Sequence, residues 1–323
     1  MKASTRAIAV GKAKQKIILL MTLVVLFVVF SIMRPTFMNY DNIMNIVLAT
    51  CVYGILALGI TFVIITAGID LSIGTAMTFS SVVSGVAFTI GGFPIWLAIL
   101  IGFATGTLCG AINGFTIAKM GLPPFIATLS MMMVTKGLSL IVSGVKPVYF
   151  TDSPIYRQIA LGEVFGIRGF YSAILIFAGV AVIAHILLSK TLLGRYTFAL
   201  GSNLEAARLS GVNVIKWKII VYSLCGLMCA TAGLVMSSRL NSAQPQLGAG
   251  YELEAIAAAV IGGSSMSGGE GSVSGTIIGA FIISVLTNGL RVMQVSQEWQ
   301  PVVIGIVLVL AVYMDQTRKR KTA

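Results

Sequence analysis

Gly201-Ser202-Asn203-Leu204-Glu205-Ala206-Ala207-Arg208-Leu209-Ser210-Gly211-Val212-Asn213 is a polar, helix-forming island in a chain that is otherwise almost wholly apolar. Asn203 can cap a short helix from Leu204 to Leu209, and Gly211 can stop it. A helix of about two turns is not stable alone. The stretch therefore reads as a docking element that rests against another protein.

The surroundings of that island fix the class. Of 323 residues, 57% are hydrophobic and 10% charged, and 35 are glycine; the mean hydropathy is +0.97. A soluble domain of this composition would expose large apolar patches, so the chain reads as an all-α polytopic membrane protein. A net charge of +12 would suggest nucleic acid in a soluble protein. Here the basic residues sit in loops between apolar runs, where they set orientation, and nucleic-acid binding is set aside.

Apolar runs fall near 17–33, 43–66, 71–93, 95–118, 124–143, 170–188, 218–237, 249–264, 274–290 and 299–314. Against the roughly 20 residues that a crossing needs, they predict about ten transmembrane helices. The first run follows Lys12, Lys14 and Lys16, but Ser31-Ile32-Met33-Arg34-Pro35 has no small-residue cleavage pattern, so it is read as a retained helix and not a signal peptide. The eighth is the weakest, since 253–263 is only about half a crossing and could be re-entrant.

Charge asymmetry decides the eighth run. With the N-terminus cytoplasmic and all runs crossing, the inner face receives Lys2, Arg6, Lys12, Lys14, Lys16, Lys119, Lys190, Arg195, Arg208, Lys216, Lys218 and the tail Arg318-Lys319-Arg320-Lys321. The outer face keeps Arg34, Lys146, Arg157, Arg168, Arg239 and Arg291. Without the eighth crossing the basic tail would lie outside, against the positive-inside tendency, so the eighth run is taken as a crossing, tilted or broken. The chain then divides into a basic cytoplasmic N-terminus (1–16), one transmembrane domain (17–314) and a basic cytoplasmic tail (315–323). The domain carries an outer loop at 144–169 and a cytoplasmic loop at 189–217 that holds the docking element. The outer loop reads either as a surface for something outside the membrane or as a solvated connector.

Within the spans, Gly102, Gly106, Gly110 and Gly114 recur every fourth residue on one face of the fourth run, a close-packing ridge for another helix backbone within the subunit or across a dimer seam. Asp70, in Ala67-Gly68-Ile69-Asp70-Leu71-Ser72-Ile73-Gly74, would cost about 2.5 to 3.5 kcal/mol if ionised at a helix centre. It reads first as a cap for the free amides of the next helix, and otherwise as a cation site. Lys136 can snorkel or face an aqueous path, and His185 lies within reach of headgroups. Asp70, Ser72, Asn113, Asn241, Gln244 and Ser264 are candidate pathway or gate residues; structural hydrogen bonds between helices explain such groups equally well.

Enzyme readings find no support. The glycine-rich 261–272 stretch lacks the Gly-Lys-Ser/Thr ending of a phosphate-cradling loop, and is read as flexible backbone suited to close packing or a hinge. Cys51, Cys109, Cys225 and Cys229 fall in apolar runs, and a single His excludes a multi-histidine metal site. No catalytic residue, metal or cofactor is assigned to the chain.

The segments Leu193 to Asn203, Glu205 to Val214, Thr66 to Gly74, Pro124 to Leu129, Tyr251 to Ala258 and Gly262 to Gly269 resemble, in order, blocks of the permeases of monosaccharide ATP-binding-cassette (ABC) importers. Leu240 to Pro245 and Val221 to Leu227 are most similar to the ribose-importing members. The resemblance implies a bacterial cytoplasmic (inner) membrane protein that moves a sugar inward. Its implied partners are an ATPase subunit at the cytoplasmic face, an extracytoplasmic sugar-binding protein, and a second permease copy or a paralogue. ATP and magnesium would be held by the ATPase. Gly201, Ser202, Asn203, Glu205, Ala206, Ala207, Arg208 and Gly211 would form its coupling element, with both alanines seated in an ATPase groove and Glu205 and Arg208 at the rim. A permease for a branched-chain amino acid or a sugar-like signal, or an ion-coupled symporter, is the alternative.

Overall fold

The computed structural model describes residues 2–296 and 298–320, so the end of the basic tail, including Lys321, lies outside the described residues. α1 (Lys2–Met33) runs without a break from the basic N-terminal segment into the first apolar run. A turn of 3-10 helix at Pro35–Met38 leads to α2 (Tyr40–Ile65), capped by Asn39, whose side chain accepts from the Asp41 amide. α2 is apolar on all sides, and 94% of its most hydrophobic window is enclosed by other helices. It is the pillar around which the rest packs.

α3 (Ile73–Thr89) and α4 (Ile95–Ala118) follow, then α5 (Pro124–Ser143), which starts with Pro at its first position and stops at Gly144 in the left-handed region, φ 61°. Beyond it come β1 (Val148–Tyr149), α6 (Pro154–Leu161) and α7 (Ser172–Lys190). α8 (Leu192–Ser202) and α9 (Leu204–Leu209) form the island of the opening sequence. α10 (Val214–Leu240), β2 (Ser242–Ala243), α11 (Tyr251–Ile261), α12 (Val273–Val292) and α13 (Trp299–Arg320) complete the chain.

Among the described residues, seven helices (α1, α2, α4, α5, α7, α10 and α12) are long and apolar enough to cross a membrane. The chain is a multi-pass membrane protein. The sequence-based ten differ in three places. α3 has 17 residues, α11 has only 11, and of the 22-residue α13 the apolar stretch among the described residues is Trp299–Leu310. At about 1.5 Å per residue, α11 covers about half a bilayer.

α11 starts in the middle of the molecule. The ring of Tyr251, its first residue, lies 5.1 Å from that of Tyr53, midway along α2. The chain reaches this depth from the far end of α10 as irregular backbone, through residues 244–250. Such backbone is tolerated at membrane depth only where protein or a hydrated cavity surrounds it. Here Gly248 and Gly74 on α3 meet backbone to backbone, and a Cβ on either would strike the other's carbonyl.

The glycine ridge sets the spacing of α4. An added Cβ on Gly106 would lie 2.6 Å from the Gly226 carbonyl, one on Gly110 would strike the Tyr222 carbonyl, and one on Gly114 would sit 2.6 Å from Ile219 Cα. All three belong to the α4–α10 contact, while Gly102 faces Ser80 and Ser84 on α3. The ridge thus lies inside a single chain. Removing side chains brings the two backbones to van der Waals contact, the means of association open to helices in lipid. Several buried hydroxyls are satisfied locally: Thr50, Thr61, Ser80 and Thr287 each donate to the carbonyl four residues back.

The 144–169 loop is folded back on the end of α10. β1 pairs antiparallel with β2, Val148 opposite Ala243 and Tyr149 opposite Ser242. Phe150 stacks on Tyr156 at 3.7 Å between ring centroids, and the Tyr156 hydroxyl meets Ser237 Oγ at 2.7 Å. Ser238 Oγ donates to the Tyr156 carbonyl at 2.6 Å and accepts from the Ala160 amide at 2.9 Å. α6 is thereby fastened to the end of α10.

Candidate functional site

α9 forms where its local signals place it. The Asn203 side chain accepts from the Ala206 amide at 2.9 Å, and Gly211 turns the chain at φ 82°. Asn213 then caps α10 by accepting from the Lys216 amide at 3.0 Å. Glu205, Ala206 and Arg208 are exposed on α9, whereas Ala207 is buried. The pairing of both alanines in a partner's groove therefore does not fit: a two-turn helix presents successive residues about 100° apart, and Ala207 faces this chain. Sequence reasoning passed over Leu209, which is 87% exposed at the tip, with Leu204 also exposed. An apolar residue held out at the end of a capped helix was the available signal.

Gly201 and Ser202 end α8 and do not belong to α9. Gly201 is pressed against the Ile65 carbonyl at the end of α2, where a Cβ would clash, and an added Cβ would also lie 2.6 Å from the Gly269 amide nitrogen. Gly269, at φ 77°, donates its N–H to that same Ile65 carbonyl at 2.9 Å. Three segments meet here: the end of α2, the end of α8, and the glycine-rich 262–272 stretch. That stretch is a packed joint, which fits the close-packing half of its sequence reading. Gly275 abuts the Gly262 carbonyl, and the Ser265 amide donates to the Glu270 carbonyl at 3.0 Å. Ser264 is buried within it, 1% exposed, with its hydroxyl unpartnered. The end of α8, from which α9 continues, is thus packed directly on the central helix.

Asp70, Ser72 and Asn113 come together in one closed cluster between α2, α3 and α4. Asp70 is 2% exposed, and its Oδ1 accepts from the Ser72 amide at 2.9 Å and from Ser72 Oγ at 2.6 Å. Asn113 Nδ2 reaches Asp70 Oδ2 at 3.3 Å and Ser72 Oγ at 2.9 Å. Asp70 thus closes a turn one residue ahead of α3 instead of capping the amides of the helix's first turn; Ser72 holds the cap position. The cluster is roofed by Tyr222, whose hydroxyl donates to the Ile69 carbonyl at 3.2 Å. Its polar atoms are turned toward one another rather than into a passage.

Asn241 and Gln244 lie at the other end of α10 and share no contact with this cluster. Asn241 stops the helix in the left-handed conformation, φ 52°, and its carbonyl accepts from the Phe150 amide at 3.1 Å. Gln244 Nε2 donates to Ser242 Oγ at 3.3 Å. The six pathway candidates are therefore spread over three places: the Asp70 cluster, the α10 terminus and the 262–272 joint.

Residues 42–312 match the family described as the permease component of the branched-chain amino acid transport system. The ribose import permease protein of Escherichia coli (strain K12) is 40% identical over 93% of this chain and 93% of its own. That of Bacillus subtilis (strain 168) is 42% identical over 92% and 91%. The fructose import permease protein of Rhizobium meliloti is 38% identical over 84% of this chain and 77% of its own. With a family match over most of its length and near-full-length relatives at this identity, the chain belongs to the transport-system permease family that includes the ribose and fructose import permeases.

Proposed function

We propose that this chain is the membrane-spanning permease subunit of an ABC importer that carries a monosaccharide, ribose first, into the cytoplasm. α9 docks on a separate ATPase, which places α8 and α9 on the cytoplasmic face with both termini, and the folded 144–169 loop on the outside of a bacterial inner membrane. A sugar-binding protein delivers cargo there. A second permease copy or a paralogue completes the path. The observation that carries this reading is the capped α9, apolar at its exposed tip and following directly on α8, whose Gly201 is packed against the end of α2.

ATP binding and hydrolysis on the partner move α9. The Gly201–Ile65–Gly269 joint passes that movement to α2, and α11 follows because Gly279 and Gly275 on α12 hold its backbone at close contact. Bistable packing of this kind converts a small shift at one face into alternating access. The hydrolytic chemistry stays on the partner.

The test is reconstitution with the partner ATPase and the sugar-binding protein in sealed vesicles. Ribose-loaded binding protein should raise ATP hydrolysis above the level with the empty protein. Stimulation by another monosaccharide would keep the machine and change the cargo, and failure to hold any ABC ATPase would contradict the reading.

A further inference from the structure

Lys136 stands near the middle of α5 with its side chain exposed, and among the described residues no hydrogen bond or ion pair holds its ammonium. The adjacent Thr135 donates to Thr75 Oγ1 at 2.8 Å, which sets Lys136 level with the first turn of α3. That level is deep: one turn on, Met77 packs its carbonyl against Gly233 on α10, well inside a 27-residue helix.

Lys136, Thr75, Thr78, Ser139 and Gln246 line a narrow cleft between α3, α5 and the irregular 244–250 backbone. Its volume of about 10 Å³ admits a single water. Glu252, in the first turn of α11, accepts from the Gly250 amide at 3.1 Å, and its Oε2 lies 2.7 Å from where a Cβ on Gly74 would stand, one residue before Thr75 of the cleft. Facing lipid, a lone ammonium at this depth would cost about 2.5 to 3.5 kcal/mol or more. Lining a path that hydrates in part of the cycle, it is tolerated, and discontinuous helices with irregular backbone at mid-depth are the usual makers of such sites.

Resting on the proposed function, we propose that Lys136 and Glu252 are the sugar-contacting pair of the translocation path at the level where α11 begins. The ammonium donates to, and the carboxylate accepts from, hydroxyls of a neutral monosaccharide, with Thr75, Thr78 and Gln246 as neutral partners. The pair carries no net charge, so it retains neither anions nor cations, and its free donors require no ion pair to be broken before a hydroxyl binds. The cleft is too narrow for a sugar as it stands, so passage requires α5 to part from the 244–250 segment.

The test compares sugar imported per ATP hydrolysed in vesicles holding the whole transporter and the loaded binding protein. Lys136→Met and Glu252→Gln should each lower import about tenfold while binding-protein-stimulated hydrolysis stays within about twofold of the unmodified complex, and Lys136→Arg should retain a substantial part of import. Import at the unmodified rate in Lys136→Met overturns the inference. So does a parallel loss of import, hydrolysis and membrane insertion in all three variants, which marks a structural role. Recovery of import in the exchanged pair Lys136→Glu with Glu252→Lys also overturns it, because that outcome identifies an ion pair between helices. An unmodified complex that imports no sugar refutes the proposed function itself and is distinguishable from all of these.

Discussion

Asp70 and Lys136 are both charged groups placed deep in an apolar molecule, and they are treated in opposite ways. The carboxylate is 2% exposed and accepts from Ser72 and Asn113. The ammonium is exposed, faces a cleft and has no bonded partner among the described residues. A buried charge whose hydrogen bonds are met within the chain holds the fold; one left open at membrane depth is available to something that passes. Electrostatic cost alone does not distinguish the two. The bookkeeping of partners does.

The largest expected effect tests the frame that holds both groups. Gly110→Val drives a branched side chain into the Tyr222 carbonyl, and α4 can relieve that only by leaving α10. Little folded protein should be recovered from membranes, as judged by monodispersity in detergent; normal yield would show that the seam is not the constraint described here. Next, Asp70→Ala removes the acceptor of both the Ser72 amide and the Ser72 hydroxyl and leaves Asn113 with Ser72 Oγ alone, at a cost of about 2 to 4 kcal/mol. Asp70→Asn should cost less, and Lys136→Met less than about 1 kcal/mol. Thermal unfolding in detergent gives the ranking, and Lys136→Met proving as damaging as Asp70→Ala would erase the contrast between the two groups.

A smaller effect on stability, with a large one on assembly, is expected at the exposed tip. Leu209→Glu and Ala206→Trp should leave the melting temperature unchanged and abolish retention of the ATPase in pull-down of the purified complex. Undiminished retention in both would remove α9 from the docking surface. Tyr156→Phe deletes one hydroxyl contact with Ser237 at the end of α10 and should lower stability by about 1 kcal/mol while leaving ATPase retention unchanged. A larger loss would mean that the outer loop supports the path more directly than its packing indicates.

Much of this was legible in sequence wherever the signal is local. Asn203 and Gly211 mark α9 because capping and a left-handed stop depend on adjacent residues. The spacing of Gly102 to Gly114 announces a helix contact, since a bare stripe has few other uses in lipid. What the sequence withheld depends on three-dimensional partners. The burial of Ala207 beside exposed Ala206 follows from how α9 packs back on α8 and α10, and the approach of Gly201 to Ile65 joins residues far apart in the chain. Asp70 and Asn113 are separated by a whole helix, and their meeting requires the packing of α4 beside α3. Glu252 drew no notice because a carboxylate in the first turn of a helix is an ordinary feature; only the depth at which α11 begins makes it unusual. The 244–250 stretch, with one Pro, two Gln and two Gly, falls mostly between the apolar runs 218–237 and 249–264 and reads as a connector; its depth in the molecule depends on the packing of Gly248 against Gly74.

The central claim is that transport through this chain is driven by ATP hydrolysed on a partner docked at α9. Uptake of labelled ribose into vesicles bearing the reconstituted transporter, with ribose-loaded binding protein on one side and ATP reaching the ATPase on the other, tests it most directly. Uptake that requires ATP and persists when an ionophore collapses the proton gradient is the result expected. Uptake that proceeds without ATP and stops with the gradient would contradict it.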